Sequence, residues 1–263
     1  MSATPTTLRV VAAEAARAAG ELLAERFARR DEQALGTKST PTDPGSEADM
    51  AAERAIREVL AVRRPGDRVL GEEGGESGGD EQADAGLLWI VDPLDGTVNF
   101  LFGIPQWCVS VAVHDGDGAL AGVVYDPLRD ELFAAERGGA ATLGGRPLEA
   151  STREELATAL VATGFGYDPA VRRAQAAVVA RVLPLVRDVR RVGSAALDLA
   201  WTAAGRLDAY YERGVQRWDI AAGALVCERA GLEVRQLKAR GEAPAGLLAA
   251  PAGLVEPLLA LDV

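Results

Sequence analysis

Two aspartates three residues apart follow an apolar segment near the middle of the chain. Leu87 to Val91 has the composition of a buried strand, and the sequence Asp92-Pro-Leu-Asp95-Gly-Thr comes directly after it. The proline and the glycine predict a tight turn that brings the two carboxylates together. Two carboxylates, with the Leu94 carbonyl between them, are oxygen ligands of the kind that a hard cation such as Mg²⁺ prefers.

The residues after the second aspartate are suited to an anion. Gly96 allows the backbone to approach a ligand closely. Thr97 presents a hydroxyl and an N–H at a predicted helix start, where a phosphate group binds well. An acidic turn with a glycine is also a common surface feature, so this segment alone leaves that interpretation open.

Two further acidic clusters follow apolar elements elsewhere in the chain. The short apolar run at Val69 and Leu70 leads through Gly71 to Glu72 and Glu73. Far downstream, Asp219 precedes a helix of small residues, and its position predicts a helix N-cap. Three carboxylate clusters, each at the end of an apolar element, favour a joint metal and phosphate site over three unrelated surface features.

Taken together, these motifs resemble those of the inositol monophosphatase family, the magnesium-dependent and lithium-sensitive sugar-phosphate phosphatases. The similar segments are Lys38–Asp43 with Asp49, Gly71–Glu73, Asp92–Phe100, Arg190–Ala196 and Trp218–Gly223. They occur in the family's order and cover most of the chain, from about Lys38 to Leu248. The resemblance implies an α/β (α+β) fold, a layered α-β-α-β-α sandwich with the site between two halves, and a homodimer.

Residue roles are implied by the same resemblance. The metal ligands, for two or three magnesium ions, would be Glu72, Asp92, the Leu94 carbonyl, Asp95 and Asp219. The catalytic residues would be Asp49, Glu72 and Thr97, with Thr97 and Asp49 orienting and deprotonating the attacking water. The substrate-binding residues would be Lys38, Leu94, Asp95, Gly96, Thr97, Arg190, Gly193, Ser194, Ala195, Glu212 and Asp219. Glu212 would hydrogen-bond the hydroxyls of the substrate ring, and Glu73 would support the site without being a ligand.

Composition limits the classes of function. A chain of 263 residues with 48% apolar and 25% charged residues is long enough for a large buried core. It contains no run of 18 apolar residues and no signal-peptide pattern at the N-terminus, so a cytoplasmic enzyme without a membrane span is expected. The net charge of −11 argues against nucleic acid as a partner. Cys108 and Cys227 are expected to be buried thiols, and the single histidine, His114, lacks the surroundings of a catalytic base.

Hydrophobic patterning predicts a mixed α and β organisation in two parts, residues 1–150 and 151–263. In the first part, we expect helices from Leu8 to about Arg30 and from Ser46 or Asp49 to Val62, strands at 87–91, 107–114, 119–125 and 131–135, and a hairpin at 138–145. The Gly-rich segment 74–86 is expected to be a surface loop or a lid. In the second part, we expect strands at 157–163, 207–211, 232–235 and 247–250, and helices at 169–186, 194–204 and 219–231, followed by a C-terminal helix. This alternation predicts a more parallel sheet.

Three hypotheses for function follow. The favoured one is hydrolysis of myo-inositol 1-phosphate or a close polyol monophosphate. The second is the same chemistry on histidinol phosphate, fructose 1,6-bisphosphate or a 3′-phosphoadenosine nucleotide. The third, from a different class, is a binding partner such as an accessory factor of transcription, which nothing basic or extended in the sequence supports.

Overall fold

A computed structural model of the protein describes residues 3–29, 36–37, 44–45, 47–79 and 86–263. The helices are α1 (Pro5–Arg29), α2 (Glu47–Arg63), α3 (Thr97–Leu101), α4 (Pro169–Val182), α5 (Ala195–Ala203), α6 (Arg217–Arg229) and α7 (Ala252–Leu259). The strands are β1 (Gly36–Thr37), β2 (Pro44–Gly45), β3 (Arg68–Gly71), β4 (Gly75–Ser77), β5 (Leu88–Asp95), β6 (Cys108–Asp115), β7 (Gly118–Asp126), β8 (Glu131–Glu136), β9 (Thr142–Leu143), β10 (Arg146–Pro147), β11 (Leu160–Thr163), β12 (Asp188–Arg190), β13 (Ala209–Arg213), β14 (Glu233–Leu237) and β15 (Gly246–Ala250). Short 3-10 turns occupy Leu156–Thr158 and Leu183–Leu185.

Two main sheets are formed. The larger has the strand order β10-β9-β8-β7-β6-β5-β3-β4, and only its β3–β5 pair is parallel. The smaller has the order β12-β11-β13-β15-β14. In the smaller sheet β12, β11 and β13 are parallel, while β15 is antiparallel to both of its neighbours. The expected parallel character therefore stops at β13, because the short connection between β14 and β15 lacks the crossover that parallel neighbours require.

Side chains of the central strands alternate between two hydrophobic cores. In β6, Val109, Val111 and Val113 pack with α1 and α2, whereas Cys108 and Ala112 face α5 and α6. This period of two is what a strand buried on both faces requires. It places one layer of helices on each face of the larger sheet.

The smaller sheet repeats this arrangement. In β15, Leu247 and Ala249 face the core that contains α5 and α6, and Leu248 and Ala250 face a third core with α4 and α7. The order of layers is thus α1 and α2, the larger sheet, α5 and α6, the smaller sheet, and α4 and α7. The predicted α-β-α-β-α sandwich is confirmed, while the division into parts at residue 150 stays a prediction.

Several predicted boundaries differ from the structure. The helix expected over 169–186 ends at Val182, because Pro184 has no N–H to donate back into the helix. The strand expected over 157–163 begins as a 3-10 turn. The segment expected to be a loop from residue 74 instead starts with β4, which pairs with β3. Residues 80–85 lie outside the described part of the chain, so the lid stays a prediction.

Both cysteines are buried and neither forms a disulfide, as expected. In the described part of the chain, none of the helices combines the length and the apolar composition needed to cross a lipid bilayer.

Three aromatic rings hold α3 against the helical layer. The ring of Phe100 lies 5.5 Å from that of Phe27 in α1 and 5.1 Å from that of Trp107, measured between centroids. Such tilted and edge-on pairs are favourable beyond the area they bury. They fix the position of Thr97 at the start of α3.

Helix α6 approaches the larger sheet closely at a glycine. A Cβ atom on Gly122 of β7 would lie 2.9 Å from the backbone Cα of Ala222, closer than such atoms approach in proteins. Because Ala222 lies one turn after Asp219, this contact sets how far the carboxylate of Asp219 stands from the sheet.

We therefore predict that Gly122→Val lowers the free energy of unfolding by about 1–3 kcal/mol, the usual effect of an overpacked core. It should also lower activity, because the side chain displaces α6 and Asp219 with it. Urea denaturation and phosphate release measure the two effects. Gly116→Ala is the control, since in the described part of the chain a Cβ there meets no atom within 4 Å beyond its chain neighbours. Unchanged stability of the valine variant would contradict the close contact.

Candidate active site

The parallel pairing of β3 with β5 brings two of the acidic clusters together. Gly71, the last residue of β3, is the register partner of Val91, so Glu72 follows at the same sheet edge as Asp92. Asp95 continues the same strand, and α6 brings Asp219 from the second half of the chain. All four acids line a cavity of about 650 Å³.

A bulge, rather than a tight turn, positions the two aspartates of β5. The strand continues from Asp92, which pairs with Ser110, to Asp95, which pairs with Cys108, and one extra residue is accommodated between them. The Leu94 N–H donates to Asp92 Oδ1 at 3.0 Å. The predicted turn after Val91 is wrong, because pairing with β6 keeps the chain extended as far as Asp95.

Asp95 is held by the start of α5. The Ser194 hydroxyl donates to Asp95 Oδ2 at 2.6 Å, and the Ala196 N–H donates to the same oxygen at 2.7 Å. Ser194 is also the N-cap residue of α5, and its Oγ accepts from the Leu197 N–H. The positive end of the helix thus faces the carboxylate. Ser194 is buried beneath Asp95 and does not line the cavity; its predicted contact with substrate stays a prediction.

The expectation that Asp219 is the N-cap residue of its helix is wrong. Helix α6 begins at Arg217, its N-cap residue is Gln216, and Asp219 stands in the first turn. The Gln216 N–H donates to Asp219 Oδ2 at 2.7 Å, as in a capping box. The side chain therefore reaches back along the helix from its first turn, and Gln216 itself lines the cavity.

A buried glutamate that the sequence analysis missed supports the turn of Glu72. The carboxylate of Glu53 accepts hydrogen bonds from the N–H groups of Glu73, at 2.8 Å, and Gly74, at 3.0 Å. It lies so close to Gly71 that a Cβ there would be 2.5 Å from its carboxyl carbon. In the sequence Glu53 and Arg57 have the spacing of an ordinary i,i+4 ion pair on a helix surface. No local pattern therefore indicates that Glu53 supports the site.

The predicted pair of Thr97 and Asp49 is in contact. Thr97 Oγ1 lies 3.0 Å from Asp49 Oδ1 and 3.1 Å from the Leu94 carbonyl oxygen, and both residues are buried. Gly96, just before the threonine, has φ of 99°, the left-handed region that favours glycine. A side chain at Gly96 would also meet the Gln106 carbonyl oxygen at 3.0 Å.

Burial and mutual repulsion raise the pKa values of the clustered carboxyls. Burial is the main cause of the raised pKa of Asp92, and the neighbouring charges of Glu72, Asp95 and Asp219 raise it further. The pKa values of Asp95 and Asp219 are raised as well, again mainly by burial. The cluster therefore holds its negative charge at a cost in stability unless a cation offsets it.

The donor chemistry of the cluster suits a hard divalent cation. Hydrogen bonds from the backbone orient Asp92 and Asp219 through one oxygen each. Carboxylate and carbonyl oxygens are what Mg²⁺ accepts as ligands. As the side chains stand, no three Asp, Glu, His or Cys residues in the described ranges are already grouped to hold a metal ion.

Glu212 lines the same cavity from β13. It lies within the strand rather than after it, and the Tyr210 hydroxyl donates to its Oε2 at 3.0 Å. Burial raises the pKa of Glu212 to about 7. Its carboxylate covers Gly164 so closely that a Cβ there would lie 1.9 Å from Oε2. The predicted neighbours Gly193 and Ala195 also line the cavity.

The arginine that reaches the cavity is Arg191. Arg190 is exposed, pairs with Asp188 at 2.6 Å and does not line the cavity. Arg191 does, together with Phe165 and Tyr167 from the segment after β11, which the sequence analysis missed. Adjacent arginines alternate in direction along an extended chain, and sequence alone does not say which faces inward. Lys38 lies outside the described residues, and His114 lines a separate cavity on the far side of α6.

The sequence matches known proteins over nearly its whole length. Residues 4–260 match the profile of the inositol monophosphatase family. The chain belongs to this family. The recognition made from the sequence motifs is thus confirmed.

Individual members of the family are similar along most of the chain. Inositol-1-monophosphatase SuhB of Mycobacterium tuberculosis (strain ATCC 25618 / H37Rv) is 47% identical over 233 residues, 86% of this chain and 80% of that protein. Nus factor SuhB of Haemophilus influenzae is 38% identical over 252 residues, 95% of this chain and 93% of that protein. The crystal structure of extragenic suppressor protein suhB from Bartonella henselae has a TM-score of 0.89 at 36% identity, covering 97% of each chain.

The carboxylate cluster predicts how stability depends on pH. The folded pKa values of Asp92 and Asp219 lie above the ordinary 3.8, so the folded protein binds more protons than the unfolded chain above that pH. Stability without metal should therefore fall as pH rises from about 4 towards these raised pKa values. Urea denaturation in EDTA across this range measures the slope. Asp92→Asn should reduce it and raise the metal-free Tm by a few degrees; a lower Tm would contradict the repulsion.

A methyl group on Gly164 tests the placement of Glu212. Gly164→Ala should push the carboxylate away and lower kcat/KM for a polyol phosphate about tenfold, the loss of one charge-assisted hydrogen bond. The change should appear mainly in KM. Gly86→Ala is the control, because a Cβ there meets no atom of the described residues within 4 Å, its chain neighbours aside. An unchanged KM in a folded Gly164→Ala protein would contradict a role of Glu212 in substrate binding.

Proposed function

We propose that this protein is a magnesium-dependent phosphomonoesterase that hydrolyses myo-inositol 1-phosphate, or a close polyol monophosphate, to the free polyol and phosphate. The observation that carries the proposal is the meeting of Glu72, Asp92, Asp95 and Asp219 in one cavity, beside the contact of Thr97 with Asp49. Membership of the inositol monophosphatase family supports the same chemistry. The proposed setting is a cytoplasmic homodimer that binds a small phosphorylated polyol.

The proposed magnesium ligands are Glu72, Asp92, the Leu94 carbonyl, Asp95 and Asp219. Two or three bound ions would polarise the phosphoryl group, lower the pKa of a water and stabilise the leaving oxygen. The chain's own part is to hold the ligands where the charge is needed. The hydrogen bonds that Ser194 and Ala196 donate to Asp95 do this by fixing one of its oxygens.

Thr97 and Asp49 are proposed to position the attacking water and take its proton. With the Thr97 hydroxyl donating to Asp49 Oδ1, a lone pair of Thr97 Oγ1 is left to accept a hydrogen bond from the water. As the water attacks phosphorus, its proton passes to Thr97 Oγ1 while the threonine proton passes to Asp49. Burial of Asp49 supports this role, because bulk water does not compete for its oxygen.

The proposed substrate contacts come from two groups of residues that line the cavity. Amide groups at Gly96 and Thr97 are proposed to bind phosphate oxygens. Glu212, oriented by the Tyr210 hydroxyl, is proposed to accept hydrogen bonds from the ring hydroxyls. A carboxylate acceptor suits a polyol better than the flat base of a nucleotide, which favours inositol phosphate over a 3′-phosphoadenosine ester.

A second candidate function comes from the names of relatives. Several similar proteins are called Nus factor SuhB, among them that of Pasteurella multocida at 41% identity. A role as an accessory factor in transcription is therefore the alternative from another class. The two functions are separable, because an Asp95→Asn protein without phosphatase activity would still restore growth to a knockout strain if binding were the essential role.

Phosphate release from a small panel of esters tests the proposed function. We expect inositol 1-phosphate to be preferred over histidinol phosphate, fructose 1,6-bisphosphate and 3′-phosphoadenosine 5′-phosphate, with release lost in EDTA. Asp219→Asn should lower kcat by a hundredfold or more (on the order of the loss of one charge-stabilising group) while the protein stays folded. Asp188→Asn, at an exposed aspartate that does not line the cavity, is the control. Activity of Asp219→Asn close to wild type would overturn the metal assignment.

A further inference from the structure

The charges around the active-site cavity are unequally distributed. Six carboxylates line it, and Arg191 is the one cationic side chain among its described lining residues. Four of the carboxylates belong to the proposed metal cluster. Arg191 stands with Glu212, on the side where the body of a substrate would lie.

Both members of this pair rest on glycines. Glu212 covers Gly164, where a Cβ would lie 1.9 Å from the carboxylate. Arg191 covers Gly193, where a Cβ would lie 2.6 Å from Nη1. The absence of a side chain at each glycine thus gives one charged group its place in the cavity wall.

Further contacts fix Arg191. Its guanidinium lies over the ring of Phe165, with 5.7 Å between the guanidinium carbon and the ring centroid. The Asn99 side chain donates to the carbonyl of the next residue, Val192, at 2.9 Å, which ties this segment to α3. Arg191 is therefore held by its contact with Phe165 and by the anchoring of the residue after it.

Arg191 and Glu212 influence each other without closing an ion pair. The charge of Arg191 lowers the pKa of Glu212 against the larger effect of burial. In the described part of the chain, no direct salt bridge joins the two side chains, whereas other arginines pair closely with neighbouring acids. A neutral vicinal diol offers a partner to each group, one hydroxyl donating to the carboxylate and the next accepting from the guanidinium.

We propose that Arg191 and Glu212 act as a charge-balanced pair that makes the site specific for a phosphomonoester with a neutral polyol body and rejects one with a second anionic group. The inference rests on the proposed function, which it refines by naming the specificity determinant. A second phosphate placed between the two would gain from Arg191 about what it loses to Glu212, and would still be desolvated. A neutral diol gains a hydrogen bond from each.

We expect opposite effects from replacing the two residues. Glu212→Gln leaves Arg191 without an opposing charge, so kcat/KM for fructose 1,6-bisphosphate relative to inositol 1-phosphate should rise about tenfold. Arg191→Gln leaves Glu212 unopposed, so the same ratio should fall about tenfold. The double variant should return close to the wild-type ratio. These changes should lie mainly in KM, because both side chains contact the body of the substrate and not the reacting phosphate.

The experiment measures magnesium-supported phosphate release from both esters by wild type, the two single variants and the double variant. Arg146→Gln, at an exposed arginine of β10, is the control and should leave the ratio unchanged. Competitive inhibition by inorganic phosphate should stay the same in all variants, which shows that the metal end is intact. Thermal unfolding identifies any variant that does not fold.

Outcomes for the inference and for the proposed function are distinct. Opposite shifts that cancel in the double variant support the pair. Shifts in the same direction, or none, in proteins that fold and hydrolyse inositol 1-phosphate would overturn the pair and leave the proposed function standing. If wild type releases phosphate from neither ester, the proposed function fails, and the dissociation constants of the two esters, measured by calorimetry, then decide the inference through the same ratio.

Discussion

Repulsion between carboxylates buried at one point is the constraint on which the rest of this structure depends. Burial and the neighbouring charges both raise the pKa of Asp92, so folding disfavours the ionised carboxylate. The scaffold offsets part of this repulsion with fixed donors: the Leu94 N–H, the start of α5 and the Gln216 N–H. Each donor orients a carboxylate as well as stabilising its charge.

The constraint also explains why the acids come from separate elements. A single turn could bring two carboxylates together, but it could not hold four of them rigidly against their repulsion. Here a parallel strand pair, a bulge and a helix packed between two sheets each carry part of the cluster. The hydrophobic cores on both faces of the larger sheet supply the stability that such a site consumes.

How far the sequence predicts this structure depends on the range of the interaction. The alternation of apolar residues in β6 is local, and it predicts the strand. The family motifs predict that Asp92, Asp95 and Asp219 share one site, because each of these residues lies in a short contiguous motif. Sequence does not show how β5 pairs with β6, so it predicts a tight turn where the structure has a bulge. Whether Arg190 or Arg191 faces inward likewise depends on contacts with Phe165 and Gly193. Phe165 is distant in the sequence, and nothing in the sequence marks the contact with Gly193.

Asp49 and Glu53 stand one turn apart on the same side of α2. The first contacts Thr97, and the second holds the turn of Glu72 through two backbone amides. One helix therefore carries both the proposed proton acceptor and the support of a proposed metal ligand. If α2 slides or tilts against the sheet, Asp49 and Glu53 move together and keep their separation. A movement of α2 would therefore displace Asp49 and the turn of Glu72 together.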